Sequence, residues 1–264
     1  MLFVPFVVLI MPSVIEVKNL RKEFGGLMAV FDVSFDVQGG EIVAIIGPNG
    51  AGKTTIFNLL SGILSPTRGD IRFDGRSLIN LRPHAISGLG LARTFQSVQL
   101  FGNMTVLENV MVGCHLKASY GLVDAAFRLP RARREERSIR EQALAHLARV
   151  GLDARADEPA LSLPFGQQRL LEIARALATK PRVLLLDEAG SGLNHPEKAE
   201  LERLIRAIRA DGVTVLLVEH DIPFVMSLAD RIIVLDYGQK IAEGTPAQVQ
   251  ADQRVIAAYL GQEI

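Results

Sequence analysis

The segment Gly47-Pro48-Asn49-Gly50-Ala51-Gly52-Lys53-Thr54 fits the spacing G-x-x-x-x-G-K-[ST]. Its glycines permit backbone angles that turn successive N–H groups toward one point, and a phosphate sits there. Lys53 adds a point charge for the outer phosphates. Thr54, with Thr55 beside it, offers a hydroxyl to Mg2+. Far downstream, Val183-Leu184-Leu185-Leu186-Asp187-Glu188 is an apolar run that ends in paired acids. Together the two segments suit phosphoryl transfer from a nucleotide.

These groups need a frame. Glu41-Ile42-Val43-Ala44-Ile45-Ile46 reads as a buried strand leading into the loop. Thr55-Ile56-Phe57-Asn58-Leu59-Leu60 reads as a helix whose N-terminus faces the anion. Val14 to Lys18 and Ala29 to Val37 alternate with period two, as half-buried strands do. Ile71-Arg72-Phe73 follows a Pro66/Gly69 turn, which predicts a largely antiparallel β layer beside a parallel core. From about Thr105 to about Arg149 the pattern turns helical and charged. The mixed signs of Arg131 to Arg137 read as a solvated helix face, so no nucleic-acid partner is expected. Leu144, Leu147, Ala148 and Leu152 are expected to form its apolar stripe. The core resumes at Arg182 and continues through Val213 to Val218 and Arg231 to Leu235. The fold class is therefore α/β: a P-loop NTPase parallel-sheet core, an antiparallel β subdomain and a helical subdomain inserted at about 95–179.

The chain has 264 residues, of which 48% are hydrophobic and 22% charged, as in a packed soluble protein. Zero net charge gives no global attraction for nucleic acid. The lone Cys114 excludes an intramolecular disulfide and reads as a small core residue. Met1 to Ile10 is apolar but spans only about half the ~20 residues of a membrane helix. It has no basic start and no small-residue cleavage site. Residues 1–13 are thus expected to be an extension ahead of a nucleotide-binding domain over 14–264, in a cytosolic chain that reaches a membrane through a partner.

Four further pieces stand in a telling order: Gln96 in Ala92-Arg93-Thr94-Phe95-Gln96; Leu163-Pro164-Phe165-Gly166-Gln167-Gln168-Arg169 opening a helix; Gly190-Ser191-Gly192-Leu193-Asn194; and His220 in Val218-Glu219-His220-Asp221. With the phosphate loop and the acids, this order resembles the ATP-binding cassette family from about Val14 to the C-terminus. The resemblance implies MgATP as the nucleotide and a head-to-tail pair of such subunits. It implies that Gln96 senses Mg2+ and the attacking water, that His220 touches the γ-phosphate, and that Phe24 stacks on adenine. Pro164, Phe165, Gly166 and Gln167 then face ATP held by a second subunit, and Gly190 to Asn194 cross the dimer interface. The chemistry agrees: Asp187 can hold Mg2+, and Glu188 is placed to orient or deprotonate water, worth about 10²–10⁴-fold as a general base.

Some positions depart from the family pattern. Pro164 and Phe165 replace the Ser and first Gly of the usual Leu-Ser-Gly-Gly-Gln, and proline offers neither hydroxyl nor N–H. Asn194 replaces a more usual Asp, and Phe24 a more usual Tyr, with stacking retained.

Narrower segments include Phe24 to Val30, Ala92 through Gly113, Gly166 to Arg175, Ala242-Glu243-Gly244-Thr245-Pro246 and Ala258-Tyr259-Leu260-Gly261. They resemble the ATP-binding subunit of bacterial branched-chain amino-acid importers. Urea and amide importers and the lipopolysaccharide-export ATPase share several of them. The resemblance implies membrane permease subunits as partners, a periplasmic binding protein acting indirectly, and a peripheral place on the inner face of the membrane. A non-transport ATPase of this fold is the alternative, although such proteins usually carry two cassettes or a long coiled coil. A regulatory module without turnover is disfavoured by the presence of both Glu188 and His220.

Overall fold

The computed structural model describes residues 13–115 and 130–260. The expected extension, except Ser13, and residues 116–129 of the insert lie outside them.

A first sheet, in the order β2-β1-β4-β5, is antiparallel: β1 (Ser13–Phe24), β2 (Leu27–Gln38), β4 (Arg68–Phe73) and β5 (Arg76–Ser77). β1 and β2 run further than their alternation indicated. Gly25 and Gly26, both at positive φ, turn one directly into the other.

The second sheet has the order β10-β9-β3-β8-β7-β6. β3 (Ile42–Ile46), β6 (Leu91–Arg93), β7 (Val183–Asp187), β8 (Thr214–Val218) and β9 (Arg231–Asp236) are parallel, and β10 (Gln239–Gly244) closes one edge antiparallel to β9. Every residue of β3, β7 and β8 is buried, which explains why they read as unbroken apolar runs. Their side chains alternate between two cores. Val43, Ile45, Leu185 and Leu216 join Ile15, Val17 and Phe35 of the first sheet and Ile56 and Phe57 of α1 (Lys53–Leu60). Ile42, Ala44, Leu184 and Leu217 face the other core. This two-layer arrangement bears out the α/β reading.

α2 (Pro83–Leu89) precedes β6. Between β6 and β7 lie α3 (Val106–His115), α4 (Pro130–Arg149) and α5 (Phe165–Ala178). α3 and α5 approach so closely at Gly113 that a Cβ there would stand 2.3 Å from the Arg175 carbonyl oxygen. The stripe on α4 differs from expectation. Among its described side chains Ile139, Ala143 and Leu147 are buried, with Val150 buried just past its end, whereas Ala148 is exposed and Leu144 half-buried. A spacing of four along that face keeps one line toward α3 and α5, and Ala148 falls off it. α6 (His195–Ala210), α7 (Ile222–Leu228), α8 (Pro246–Ala251) and α9 (Gln253–Leu260) complete the described helices. Among the described residues no helix is long and apolar enough to cross a membrane.

Candidate functional site

The loop after β3 is pinned at two positions that tolerate no side chain. Gly47 has φ +152°, and a Cβ there would lie 2.1 Å from the Leu235 carbonyl oxygen. Gly52 has φ +96°, and a Cβ would lie 2.5 Å from the Ala29 oxygen. Strands β2 and β9 therefore wall the loop. Gly52 is the N-cap of α1 and supplies no side-chain cap, which leaves first-turn N–H groups of the kind that suit an anion. Lys53 is folded back, donating from Nζ to the Gly47 and Pro48 carbonyl oxygens at 2.7 and 2.9 Å. Burial pushes its pKa below the usual lysine value, and the charge of Glu188 opposes that shift. Thr54 is exposed at the helix start, with Thr55 half-buried beside it.

Gln96, Glu188 and His220, far apart in sequence, converge. Gln96 Nε2 donates to Glu188 Oε2 at 2.8 Å, and His220 Nδ1 stands 3.8 Å from the same oxygen. Glu188 has φ +49°, a conformation costly for a glutamate, which turns its side chain out of the strand direction. Asp187, the last residue of β7, is buried. Its Oδ2 accepts from Arg93 at 2.7 Å, while Oδ1 is buried without a hydrogen-bond partner. That orphaned hard oxygen, with the Thr54 hydroxyl and nucleotide phosphates, fits a small divalent cation such as Mg2+, which is held by few protein oxygens. No group of three or more His, Cys, Asp or Glu that could hold a metal ion occurs among the described residues.

Two residues of this region carried no assignment in the sequence. Arg93 also donates to Asn58 Oδ1 and Ser61 Oγ of the α1 region, both at 2.8 Å. Its guanidinium lies 5.7 and 5.0 Å from the ring centres of Phe57 and Phe95. Glu219, buried beside His220, accepts the Gly190 N–H at 2.7 Å. Burial pushes its carboxyl pKa up, and the Gly190 hydrogen bond pulls the other way. A three-residue strand and a single acid give no periodic signal, so only the fold reveals them.

The remaining predicted residues lie apart from this cluster. Pro164 is the N-cap of α5, and its carbonyl accepts from Gln168 N at 3.0 Å. Its missing N–H costs the helix nothing, and the amides of Phe165, Gly166 and Gln167 form the uncapped first turn. A Cβ on Gly166 would come within 2.5 Å of Glu197 Oε1, so α6 backs that turn closely. Phe165 is 48% exposed, and its ring leans on Gly192. Arg155 holds the Gln167 side-chain oxygen. Asn194 caps α6 in a reciprocal box with Glu197, at 3.0 and 2.9 Å. Among the described residues, no hydrogen bond or ion pair joins 164–167 to the phosphate loop or to Glu188. Phe24 is 44% exposed at the end of β1, paired with Leu27 two positions before the Ala29 that abuts Gly52.

Residues 30–191 match the family model described as ABC transporter. The chain belongs to the ABC transporter family. Its ATP-binding cassette is an ATPase module, and the expected α/β fold and activity class hold. Residues 239–264 match a second model, described as branched-chain amino acid ATP-binding cassette transporter. The cassette is 46% identical to the high-affinity branched-chain amino acid transport ATP-binding protein BraF of Pseudomonas aeruginosa, over 94% of this chain and 98% of that protein. The crystal structure of the ADP conformation of an ATP-binding cassette of an ABC transporter superposes with TM-score 0.83 at 32% identity, covering 96% of this chain and 100% of that one. A dimeric post-hydrolysis state of another cassette, bound to ADP and Pi, gives 0.75 at 27% identity, covering 88% and 98%.

Lys53→Ala removes the ammonium now lodged on the Gly47 and Pro48 carbonyls. ATP affinity, measured by calorimetry, is expected to fall about ten- to hundred-fold, the scale of a lost hydrogen bond to a charged group. Unchanged affinity would remove Lys53 from phosphate binding.

Proposed function

We propose that this chain is the ATP-hydrolysing subunit of an importer for branched-chain or other hydrophobic amino acids, working as a head-to-tail pair with two ATP molecules at the interface. The convergence of Gln96, Glu188 and His220 beside the phosphate loop carries the hydrolytic part. The match of residues 239–264 and the 46% identity to a branched-chain amino acid transport protein support the cargo class. Permease subunits anchor the pair on the inner face of the membrane, and a periplasmic binding protein delivers cargo to them. The dimeric cassette structure supports the pairing.

In this reading Phe24 stacks on adenine, and the amides of Asn49 to Thr55 surround the phosphates. Lys53 exchanges its two loop carbonyls for phosphate oxygens. Asp187 Oδ1 and the Thr54 hydroxyl would hold Mg2+, with Gln96 beside them, and the cation would supply neutralisation of the phosphate charge. Glu188 accepts a proton from water aligned by Gln96. The water oxygen bonds the γ-phosphorus, the bond to the β–γ bridging oxygen breaks, and ADP and phosphate leave. His220 hydrogen-bonds the γ-phosphoryl oxygens as charge shifts. The partner's share is the uncapped first turn of its own α5, whose amides and helix dipole suit the γ-phosphate without the serine that Pro164 replaces.

Force leaves through a cavity of about 430 Å3 bordered by Gln99, Leu100, Phe101, Glu172 and Arg175. Of the apolar residues that follow Gln96, Leu100 and Phe101 border it, whereas Val98 does not. Phe101 is half-exposed, with Arg175 5.2 Å from its ring centre and Asn109 holding its backbone. A short helix of the permease docks here.

Glu188→Gln is expected to bind MgATP but hydrolyse it at least about a hundred-fold more slowly, so that an ATP-bound dimer accumulates. Near-normal turnover would remove Glu188 from the base role. Phe101→Ala is expected to lower transport-stimulated ATPase more than the basal rate of the isolated subunit. Equal losses with and without the permease would point to a folding defect and end the docking assignment.

A further inference from the structure

Helix α5 begins in the segment assigned to the partner's ATP, yet one turn further along it grips the loop carrying this subunit's own Gln96. Arg169 donates to the Phe95 carbonyl oxygen and to the Gln96 carbonyl oxygen, both at 2.6 Å. It also donates to Glu172 Oε2 at 2.9 Å. Glu172 Oε1 in turn accepts the backbone N–H groups of Phe95 and Gln99, at 3.3 and 3.4 Å. Arg175, one turn on, donates to the Gln99 carbonyl. The loop is thus bonded at both its start and its end to one face of one helix.

Arg169 and Glu172 are 1% and 2% exposed. Burial pushes the Glu172 carboxyl pKa above its usual value despite Arg169 and the two amides pulling it down. An internal ion pair of this kind adds little net stability over apolar side chains of the same volume. Arg169 Nε is buried without a partner as well, so the pair is not an optimised packing unit. Its hydrogen bonds go to backbone, and that backbone belongs to the nucleotide-sensing loop.

We infer that Arg169 and Glu172 are positioning residues that lock the Gln96 loop to α5, so that the contact with this subunit's nucleotide and the contact with the partner's move as one body. This rests on the head-to-tail reading of the dimer. The consequence is coupling between the two ATP sites. Movement of Gln96 against Glu188 in one site displaces the first turn of α5 in the other. A ligand shifts such an equilibrium only through contacts that differ between its two states, and the clamp makes those contacts shared.

The test uses the full chain carrying Glu188→Gln, with Arg169→Lys added. A lysine keeps the charge but cannot reach two carbonyls and a carboxylate together. ATP affinity of the monomer, by calorimetry, is expected to be unchanged. The ATP concentration at half-maximal dimerisation, by light scattering, is expected to rise about ten-fold, within the usual range of site-to-site coupling. Hydrogen exchange at Phe95 and Gln99 is expected to accelerate while the interior of α5 stays protected. Arg169→Met with Glu172→Leu, which keeps the volume and removes both charges, is expected to behave alike. An unchanged midpoint in folded protein overturns the clamp, as does a monomer affinity that falls in step with the midpoint. Failure of the Glu188→Gln parent to dimerise at all would instead strike the dimer reading. Exchange at Phe95 and Gln99 then decides the clamp, with unaltered rates overturning it.

Discussion

The parallel register of four adjacent strands places the groups that converge on the phosphate loop. Ile45 pairs with Val218, Val218 with Asp187, and Leu185 with Arg93, so β3, β8, β7 and β6 end along one edge of the sheet. Gly47, Glu219 and His220, Glu188, and Thr94 to Gln96 each follow directly from one of those ends. Ligand sites outside the carboxyl ends of parallel strands are a general consequence of this architecture. Because β3, β7 and β8 are buried throughout, a slip of one residue would exchange the faces of their alternating side chains between two packed cores. Hydrophobic packing thereby fixes the spacing of polar groups whose own interactions are too weak to do so.

At that edge the fold accumulates charge it must stabilise locally. Arg93 with Asp187 and Arg169 with Glu172 are buried pairs, and Glu219 is a buried acid with one oxygen bonded and the other not. Removing one partner from such a pair costs on the order of 3–5 kcal/mol, although the intact pair contributes little. Their value lies in orientation. Arg93 occupies one oxygen of Asp187 and leaves the other open, while Glu219 ties the end of β8 to the loop beginning at Gly190. The structure thus links the strand ends laterally as well as through the sheet.

The catalytic groups were legible because chemistry restricts their types: a glycine-rich turn before Lys53 and a pair of acids after an apolar run admit few readings. β3, β7 and β8 were legible for the same reason that they are buried. Other features were not legible. β6 is a three-residue strand, recognisable only from its pairing with β7. Ala148 was placed in the stripe of α4 by its apolar type, yet the packing line toward α3 and α5 passes through Ala143 and Leu147. Pro164 read as the loss of an anion donor. What the sequence did not show is that it stands at a helix N-cap, where a proline sacrifices no helical hydrogen bond and no side chain caps the amides that follow. Arg169 and Glu172 stood in the motif segment without roles of their own, because the loop they hold is contacted through backbone atoms some seventy residues away. Contacts to backbone leave no mark in the sequence of the contacted segment.

The central claim is that the first turn of α5 in one subunit completes the phosphate site of the other. Thiol cross-linking tests it most directly, since the chain holds a single cysteine, the buried Cys114. With Cys114 replaced by alanine and Glu188→Gln present to retain ATP, one population carries Asn49→Cys and the other Phe165→Cys. Both positions are exposed in the single subunit. The account predicts that a short bifunctional thiol reagent joins the two populations covalently when MgATP is added, and not with ADP. Cross-linking that ignores the nucleotide, or its absence while the protein dimerises with ATP, would contradict it.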